Sequence, residues 1–145
     1  MNVGDIVENF VLKDQFNNEY DLYKSLDSDV LLVFYPKDNS LVCTKQLKDY
    51  SANQNKLNKI GIKIIGININ SSLSHYSFCT GNSIDIPILE DNDGKISKYF
   101  DAVNFLGINK RKLVLVGKDK RVKFIKSTLS VNYMDTDEII SELKT

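Results

Sequence analysis

The 145-residue chain is 42% hydrophobic and 26% charged, a size and composition typical of a globular protein that forms one domain over residues 1–145. Nineteen basic residues balance nineteen acidic ones, so no net charge attracts nucleic acid or a membrane surface. No apolar run approaches the ~18 residues of a membrane span, and residues 1–8 lack the features of a signal peptide. We therefore expect a cytoplasmic protein, in which cysteines are more often catalytic or redox-active than permanently bridged.

The N-terminal region predicts a β-hairpin. Two short extended stretches lie around residues 10–12 and 19–20, and turn-forming residues 14–18 separate them. One helical turn over 23–26 is expected to follow.

The chain is organised around a buried strand that leads into a helix. Residues 30–35 form an unbroken apolar run of the kind found in strands buried on both faces. Pro36 ends this strand because it has no N–H to donate, and a helix is expected from the turn that follows to about residue 58. Cys43 therefore lies in the first turn of this helix, where unpaired N–H groups and the helix dipole favour an anion such as a thiolate. Open α/β sheets commonly place their sites at such a strand end.

The remaining elements alternate between strands and helices. We predict a strand over 62–69, a short strand or extended segment over 84–89, and strands over 112–116 and 122–125 that a turn joins into a closing hairpin. Helices are predicted from Ser71 or Ser72 to about 81, over 95–100 and over 136–143. Asp135 and Glu138 form a capping box for the last helix. A strand–helix–strand connection implies parallel strands. The order predicts an α/β protein with a thioredoxin-like three-layer α/β/α sandwich and an N-terminal β-hairpin.

Each cysteine has a structural and a functional interpretation. A cysteine is most often a small buried apolar residue, but the position of Cys43 favours a reactive thiolate, and Ser40 provides a hydroxyl three residues earlier. Cys79 lies 36 positions after Cys43 on another predicted helix. It either packs on the buried side of that helix or acts as a resolving thiol.

His75 is the only histidine, four residues before Cys79. We interpret it as a surface residue without a role, because the sequence indicates no partner to orient it. A hydrolase that pairs Cys43 with His75 is a further alternative. One histidine and two distant cysteines form no zinc site, so no metal is expected.

Arg111 opens a predicted strand between Lys110 and Lys112. Such a charge cluster belongs either to a solvated strand edge that resists aggregation or to a site in which a fixed guanidinium stabilises a thiolate and a developing oxyanion. Composition leaves both interpretations open.

Residues 34–45, Phe-Tyr-Pro-Lys-Asp-Asn-Ser-Leu-Val-Cys-Thr-Lys, resemble the active-site motif of peroxiredoxins in the bacterioferritin-comigratory, or peroxiredoxin Q, branch. That motif reads Phe-Tyr-Pro-Lys-Asp followed by Pro-x-x-x-Thr/Ser-x-x-Cys. Residues 3–10, 88–95 and 111–116 are also similar to family segments. The resemblance covers nearly the whole chain and implies the peroxiredoxin fold.

The resemblance implies a thiol-dependent peroxidase that reduces hydrogen peroxide or organic hydroperoxides without a bound cofactor. Cys43 corresponds to the peroxidatic cysteine. Ser40 and Arg111 would hold the peroxide, and Pro36 and Gln46 would belong to the substrate pocket.

The resemblance also implies that Cys79 resolves the sulfenic acid of Cys43 in an intramolecular disulfide, which a thioredoxin-like protein then reduces. We expect local unfolding of the first helical turn during each cycle, because two helix-borne cysteines rarely lie within the ~7 Å Cα separation that a disulfide needs. Members of this branch tend to be monomers.

Several positions depart from the family pattern. Leu41 and Val42 replace the common Pro-Gly, and a shortened preceding segment leaves open whether Lys110 or Arg111 takes the family arginine position. The altered 41–42 turn leaves an alternative, a thioredoxin-fold binding protein with little peroxidase turnover.

Overall fold

The computed structural model describes residues 1–144 and contains a seven-stranded sheet in the order β2-β1-β5-β4-β3-β6-β7. The strands are β1 (Val11–Lys13), β2 (Glu19–Asp21), β3 (Asp29–Phe34), β4 (Ile62–Asn68), β5 (Ile88–Glu90), β6 (Arg111–Val116) and β7 (Val122–Thr128). The helices are α1 (Leu41–Ala52), α2 (Gln54–Asn58), α3 (Ser72–Asn82), α4 (Lys95–Tyr99) and α5 (Thr136–Leu143), with a single 3₁₀ turn at Tyr23–Ser25. This architecture confirms the predicted α/β fold of thioredoxin type.

The strand pairing explains where the sheet can hold a site. β3 pairs in parallel with β4, and β4 in parallel with β5, whereas β6 runs antiparallel to both β3 and β7. β3 therefore lies near the middle of the sheet, and its carboxyl end leads directly toward α1. The predicted N-terminal hairpin and the closing β6–β7 hairpin are both confirmed.

Two apolar cores form because β3 alternates its side chains across the sheet. Leu31, Val33 and Tyr35 pack on one face with α1, α2, α3 and α5. Leu32 and Phe34 pack on the other face with residues of the N-terminal segment and α4. All five side chains are fully buried. Both cysteines belong to the first core, so the sheet places them in the same layer.

The structure corrects three details of the sequence prediction. The predicted helix over 41–58 is two helices, broken at Asn53, whose side-chain amide donates to the carbonyl and carboxylate of Asp49. Such local bonds compete with the helical ladder. The strand predicted over 84–89 is shorter, Ile88–Glu90. The solvated-edge interpretation of Arg111 is wrong, because β6 is an interior strand and Arg111 is only 3% exposed.

Candidate active site

Cys43 lies in the first turn of α1, as predicted. Ser40 is the N-cap residue, and its hydroxyl oxygen accepts a hydrogen bond from the Cys43 backbone N–H at 3.3 Å. The Ser40 carbonyl also accepts from the Thr44 N–H and hydroxyl. Pro36 follows β3 and is half-buried. The strand end and the cap together hold Cys43 beside the positive end of the helix dipole.

Arg111 brings a positive charge to the Cys43 sulfur. It extends from β6, the strand next to β3, and its Nη1 atom lies 3.4 Å from Cys43 Sγ. The same nitrogen donates to Gln46 Oε1 at 2.6 Å, and Nη2 donates to the Ser130 carbonyl at 2.8 Å. The guanidinium is thus fixed from α1 on one side and from the segment after β7 on the other. The structure places Arg111 at this sulfur, whereas the ammonium of Lys112 donates to the backbone carbonyls of Phe100 and Asp101.

A relay of hydrogen bonds orients Gln46. Gln46 Nε2 donates to the Tyr50 hydroxyl at 3.1 Å, and that hydroxyl donates to the Met134 carbonyl at 2.6 Å. Burial raises the pKa of Tyr50, so its hydroxyl stays protonated and remains a donor. Sequence reasoning missed Tyr50 and Met134, since they are 84 positions apart and no local pattern connects them.

The Cys43 side chain is fully buried. It packs in the apolar core of α1 and α3, while Arg111 and the first turn of α1 supply its polar surroundings. An unpaired charge is rarely tolerated in a protein core. The guanidinium of Arg111 beside this buried sulfur therefore distinguishes Cys43 from an ordinary core cysteine. A reagent reaches this sulfur only after neighbouring side chains or the first turn of α1 move.

Cys79 occupies a different environment on α3. Its side chain is 4% exposed, and its sulfur accepts a hydrogen bond from Gln15 Nε2 at 3.7 Å. Burial raises the pKa of the Cys79 thiol to about 12, and the negative charge of Asp38 adds to the effect. Cys79 also lines a cavity of about 520 Å³, together with the half-exposed rings of Phe16 and Tyr76. Both cysteines are free thiols in this structure.

The prediction that His75 is a surface residue without a partner is wrong. His75 is fully buried, and its Nδ1 atom lies 2.7 Å from Asp38 Oδ2. The hydroxyls of Tyr35 and Ser74 donate to the same carboxylate at 2.6 and 2.7 Å. Asp38 and His75 are 37 positions apart, so the sequence carried no signal of this pair.

The Asp38 carboxylate is ionised within this buried cluster. Burial alone would raise its pKa, but the hydrogen bond to His75, followed by those from the hydroxyls of Tyr35 and Ser74, lowers the pKa below its ordinary value. Burial raises the pKa of Tyr35 well above its usual range, so Tyr35 remains a donor. The His75 ring is therefore held by an anionic acceptor.

The arrangement does not match a Cys43–His75 hydrolase. His75 Nδ1 is directed to Asp38, and Nε2 has no hydrogen-bond partner within residues 1–144. The polar side chain at the Cys43 sulfur is Arg111 instead. The described part of the chain also contains no cluster of three or more His, Cys, Asp or Glu side chains that could hold a metal ion. None of its helices is both long and apolar enough to span a membrane.

Comparison with known proteins gives consistent relatives. The sequence profile of the AhpC/TSA family matches residues 3–125. A putative peroxiredoxin bcp of Helicobacter pylori is 32% identical over 132 residues, which cover 91% of this chain and 82% of that protein. The chloroplastic peroxiredoxin Q of Triticum aestivum is 34% identical over 95 residues, which cover 66% of this chain and 44% of that longer protein.

Solved structures share the fold over almost the entire chain. The peroxidoxin BcpB of Mycobacterium tuberculosis superposes with a TM-score of 0.88 at 26% identity, covering 99% of this chain and 97% of the other. A cysteine-to-serine mutant of Xylella fastidiosa PrxQ superposes with a TM-score of 0.90 at 24% identity, covering 99% and 96%. The second of these likenesses supports the fold alone.

Proposed function

This chain belongs to the AhpC/TSA family, and on that premise we propose that it is a peroxiredoxin, a thiol-dependent peroxidase for hydrogen peroxide or organic hydroperoxides. The observation that carries the proposal is the contact of 3.4 Å between Arg111 Nη1 and Cys43 Sγ at the start of α1. A guanidinium and a helix N-terminus together favour a thiolate, which is the nucleophilic form of cysteine.

In the proposed first step, the Cys43 thiolate attacks one oxygen of the peroxide. A sulfur–oxygen bond forms, the O–O bond breaks, and the departing oxygen takes a proton to leave as water or an alcohol. Arg111 is placed to donate to the developing oxyanion, and the Ser40 hydroxyl lies beside the same turn. The product is a sulfenic acid on Cys43.

Two further residues support the site: Gln46 holds Arg111 in place, and Pro36 lies on the approach to Cys43. Gln46 accepts from the guanidinium and holds it in place, so it orients Arg111 rather than reacting. Pro36 ends β3 and borders the turn that leads to Ser40.

We further propose that Cys79 resolves the sulfenic acid by forming an intramolecular disulfide with Cys43. Both cysteines lie on helices in one layer, and both are buried as free thiols, so the first turn of α1 must open before the two sulfurs bond. A thioredoxin-like protein would then reduce the disulfide. The cavity beside Cys79 supports access from that side. We also propose that the protein is a monomer, is cytoplasmic and forms one domain.

Thiol counting and mass spectrometry test this function. We expect one equivalent of peroxide to consume both thiols per chain without dimerisation, and a non-reducing digest to contain a peptide joining Cys43 to Cys79. The Cys43→Ser variant should retain its remaining thiol, and the Cys79→Ser variant should stop at a sulfenic acid. A Cys79→Ser variant with unchanged turnover by thioredoxin would contradict the resolving role, and a Cys43 thiol that resists peroxide would contradict the peroxidase.

Full burial of Cys43 favours one second candidate, a thioredoxin-fold binding protein with little turnover. Leu41 and Val42 stand at the turn before Cys43, and Leu41 is largely exposed, as a contact surface would require. Slow oxidation of Cys43 by excess peroxide, with no turnover in the presence of thioredoxin, would favour this candidate.

A further inference from the structure

The Asp38–His75 pair leaves one buried ring nitrogen without a partner. His75 Nε2 has no hydrogen bond within residues 1–144, although the side chain is fully buried. An unsatisfied buried polar atom is costly and calls for an explanation, of which a catalytic role is one.

The bond to Asp38 determines what this nitrogen can do. Asp38 is ionised and accepts from Tyr35 and Ser74, so His75 Nδ1 must carry the proton that faces it. In the neutral ring, Nε2 then bears a free lone pair. A carboxylate that fixes the tautomer of a histidine in this way makes the opposite nitrogen a proton acceptor.

His75 and Cys79 lie one helical turn apart on α3. Residues four apart lie on one face of a helix, with Cβ atoms about 6 Å apart. Helical side chains lean toward the N-terminus, so the Cys79 side chain leans toward the turn that carries His75. Both side chains are buried. Asp38, which contacts the His75 ring, also contributes to the raised pKa of the Cys79 thiol, after burial.

We propose that His75 is the general base that deprotonates Cys79 when Cys79 attacks the oxidised Cys43. This inference deepens the proposed function and rests on it. Asp38 orients the ring, and Gln15, which already donates to Cys79 Sγ, stabilises the sulfur as it becomes negative. The Cys79 side chain turns from Gln15 toward Cys43 as the first turn of α1 opens.

The step balances without an additional reagent. His75 Nε2 takes the proton of the Cys79 thiol, and the resulting thiolate attacks the sulfur of the Cys43 sulfenic acid. A sulfur–sulfur bond forms, the sulfur–oxygen bond of Cys43 breaks, and the leaving hydroxide takes the proton from His75 to become water. The oxidant in this step is the sulfenic acid that the peroxide formed on Cys43 in the first step.

Cys79 needs such a base. With a thiol pKa of about 12, only about 10⁻⁵ of Cys79 is ionised at pH 7 in the resting fold. Asp38 contacts the His75 ring directly, Tyr35 donates to Asp38, and Glu90 accepts from the Ser72 N–H at the start of α3. Tyr35 stays protonated, and the carboxylate of Asp38 already has its partners, so Nε2 is the acceptor left on the helical face that carries Cys79.

A single-turnover experiment separates the two chemical steps. The full chain is mixed with one equivalent of hydrogen peroxide, quenched at intervals, and analysed by mass spectrometry for Cys43 sulfenic acid and for the disulfide. The test variant is His75→Asn, whose amide can donate to Asp38 but cannot take a proton. The control is Ser77→Ala, an exposed position on the same helix.

We expect His75→Asn to form sulfenic acid within about twofold of the wild-type rate and to form the disulfide about 100-fold more slowly or worse. Its disulfide rate should rise close to tenfold per pH unit from pH 6 to 9, more steeply than that of the wild type, because hydroxide becomes the base. Added imidazole should accelerate it. Asp38→Asn, which keeps the ring but reverses the tautomer, should show the same defect, and Ser77→Ala should show none.

Two results would overturn the inference. One is a His75→Asn disulfide rate equal to that of the wild type, and the other is a slower rate with the wild-type pH profile and no response to imidazole, which indicates a structural effect. A test without peroxide uses the Cys43→Ser background and an aromatic disulfide reagent that reacts with Cys79. There His75→Asn should lower the reaction rate at least tenfold at pH 7, so failure of the base and failure of the peroxidase are distinguished.

Discussion

At the residue scale, the chemistry proposed for Cys43 depends on the guanidinium of Arg111. It reaches the sulfur from an interior strand, and Gln46 and the Ser130 carbonyl fix its two terminal nitrogens. A planar fork with fixed donors pre-organises the site, whereas a flexible ammonium would have to be ordered at each encounter. The rate of the first step therefore depends on geometry as well as on charge.

Replacing Arg111 tests this dependence. We expect Arg111→Lys to lower the rate constant for Cys43 oxidation about 10-fold and Arg111→Gln about 100-fold or more, since removal of one donor to a developing oxyanion typically costs that much. Stopped-flow measurement of peroxide consumption gives the rate. The matched control is Arg121→Gln at an exposed position that bonds the Gly4 carbonyl. Equal rates for Arg111→Gln and the wild type would contradict the assignment.

The pKa of Cys79 gives a pH prediction at the same scale. Burial holds this thiol neutral, with a pKa of about 12 against about 8.5 in an unfolded chain. In Cys43→Ser protein that also carries His75→Asn, which removes the proposed base, alkylation of folded Cys79 by iodoacetamide should rise about tenfold per pH unit from pH 7 to 10. In urea-unfolded protein it should level off above pH 9. A folded-state plateau near pH 9 would show that burial does not protect the thiol.

The same shift has a consequence for stability. Because the folded protein keeps the Cys79 proton more strongly than the unfolded chain does, this group contributes fully to stability below pH 8.5. Its contribution declines as the pH rises above that value.

At the element scale, the capped start of α1 combines folding and function. The Ser40 hydroxyl satisfies the Cys43 N–H, and the same turn carries the reacting sulfur. The sequence predicted Cys43 in the first turn of a helix, because a strand-ending proline, a polar turn and a helical pattern are local signals, but the role of Ser40 as the N-cap came from the structure. It also predicted the capping box of α5, which Asp135 and Glu138 form as expected.

The caps of α1 and α3 form a matched pair for mutation. Ser40→Ala and Ser71→Ala each remove a side-chain acceptor from one helix N-terminus, and each should lower the free energy of unfolding by about 1 kcal/mol. Urea titration measures this effect. Only Ser40→Ala should also slow the oxidation of Cys43 by peroxide. An equal loss of this rate in Ser71→Ala would show that helix stability, rather than the Ser40 hydroxyl, controls the first step.

The sequence could not predict contacts between elements that lie far apart along the chain. Asp38 and His75 belong to a loop and a helix that meet only when α3 packs on the sheet, and the Tyr50–Met134 bond joins α1 to the segment before α5. Each residue alone has an ordinary alternative, and no periodic pattern marks it. The surroundings of the Arg111 side chain likewise depend on the segment after β7, whose Ser130 carbonyl accepts from Nη2, a contact that strand composition does not reveal.

At the scale of the whole molecule, the central sheet and the helices that carry the cysteines have different expected roles. β3 is bonded on both sides, by β4 and β6, and its core positions are fully buried. The two cysteines are free thiols on helices packed against this sheet, and the proposed disulfide would form through movement of these helices. Opening is therefore expected in the helices while the sheet stays intact.

Hydrogen exchange of reduced and oxidised protein checks this division. After oxidation, we expect amide exchange to become at least tenfold faster at 41–47, and faster in part of α3, while β3 and β6 keep their protection. Mass spectrometry of peptic fragments resolves these segments, and Cys43→Ser protein treated with the same peroxide serves as the control. Faster exchange throughout the sheet would instead indicate global destabilisation by the disulfide.

The bonds of Arg111 also bear on the energetics of the redox couple. Within residues 1–144 its hydrogen bonds go to a sulfur, an amide oxygen and a backbone carbonyl, and none goes to a carboxylate. If Cys43 reacts as proposed, its thiolate is the anionic counterion of this buried cation, whereas a disulfide sulfur is neutral. In the proposed cycle, electrostatics would then favour the dithiol over the disulfide and raise the reduction potential of the pair.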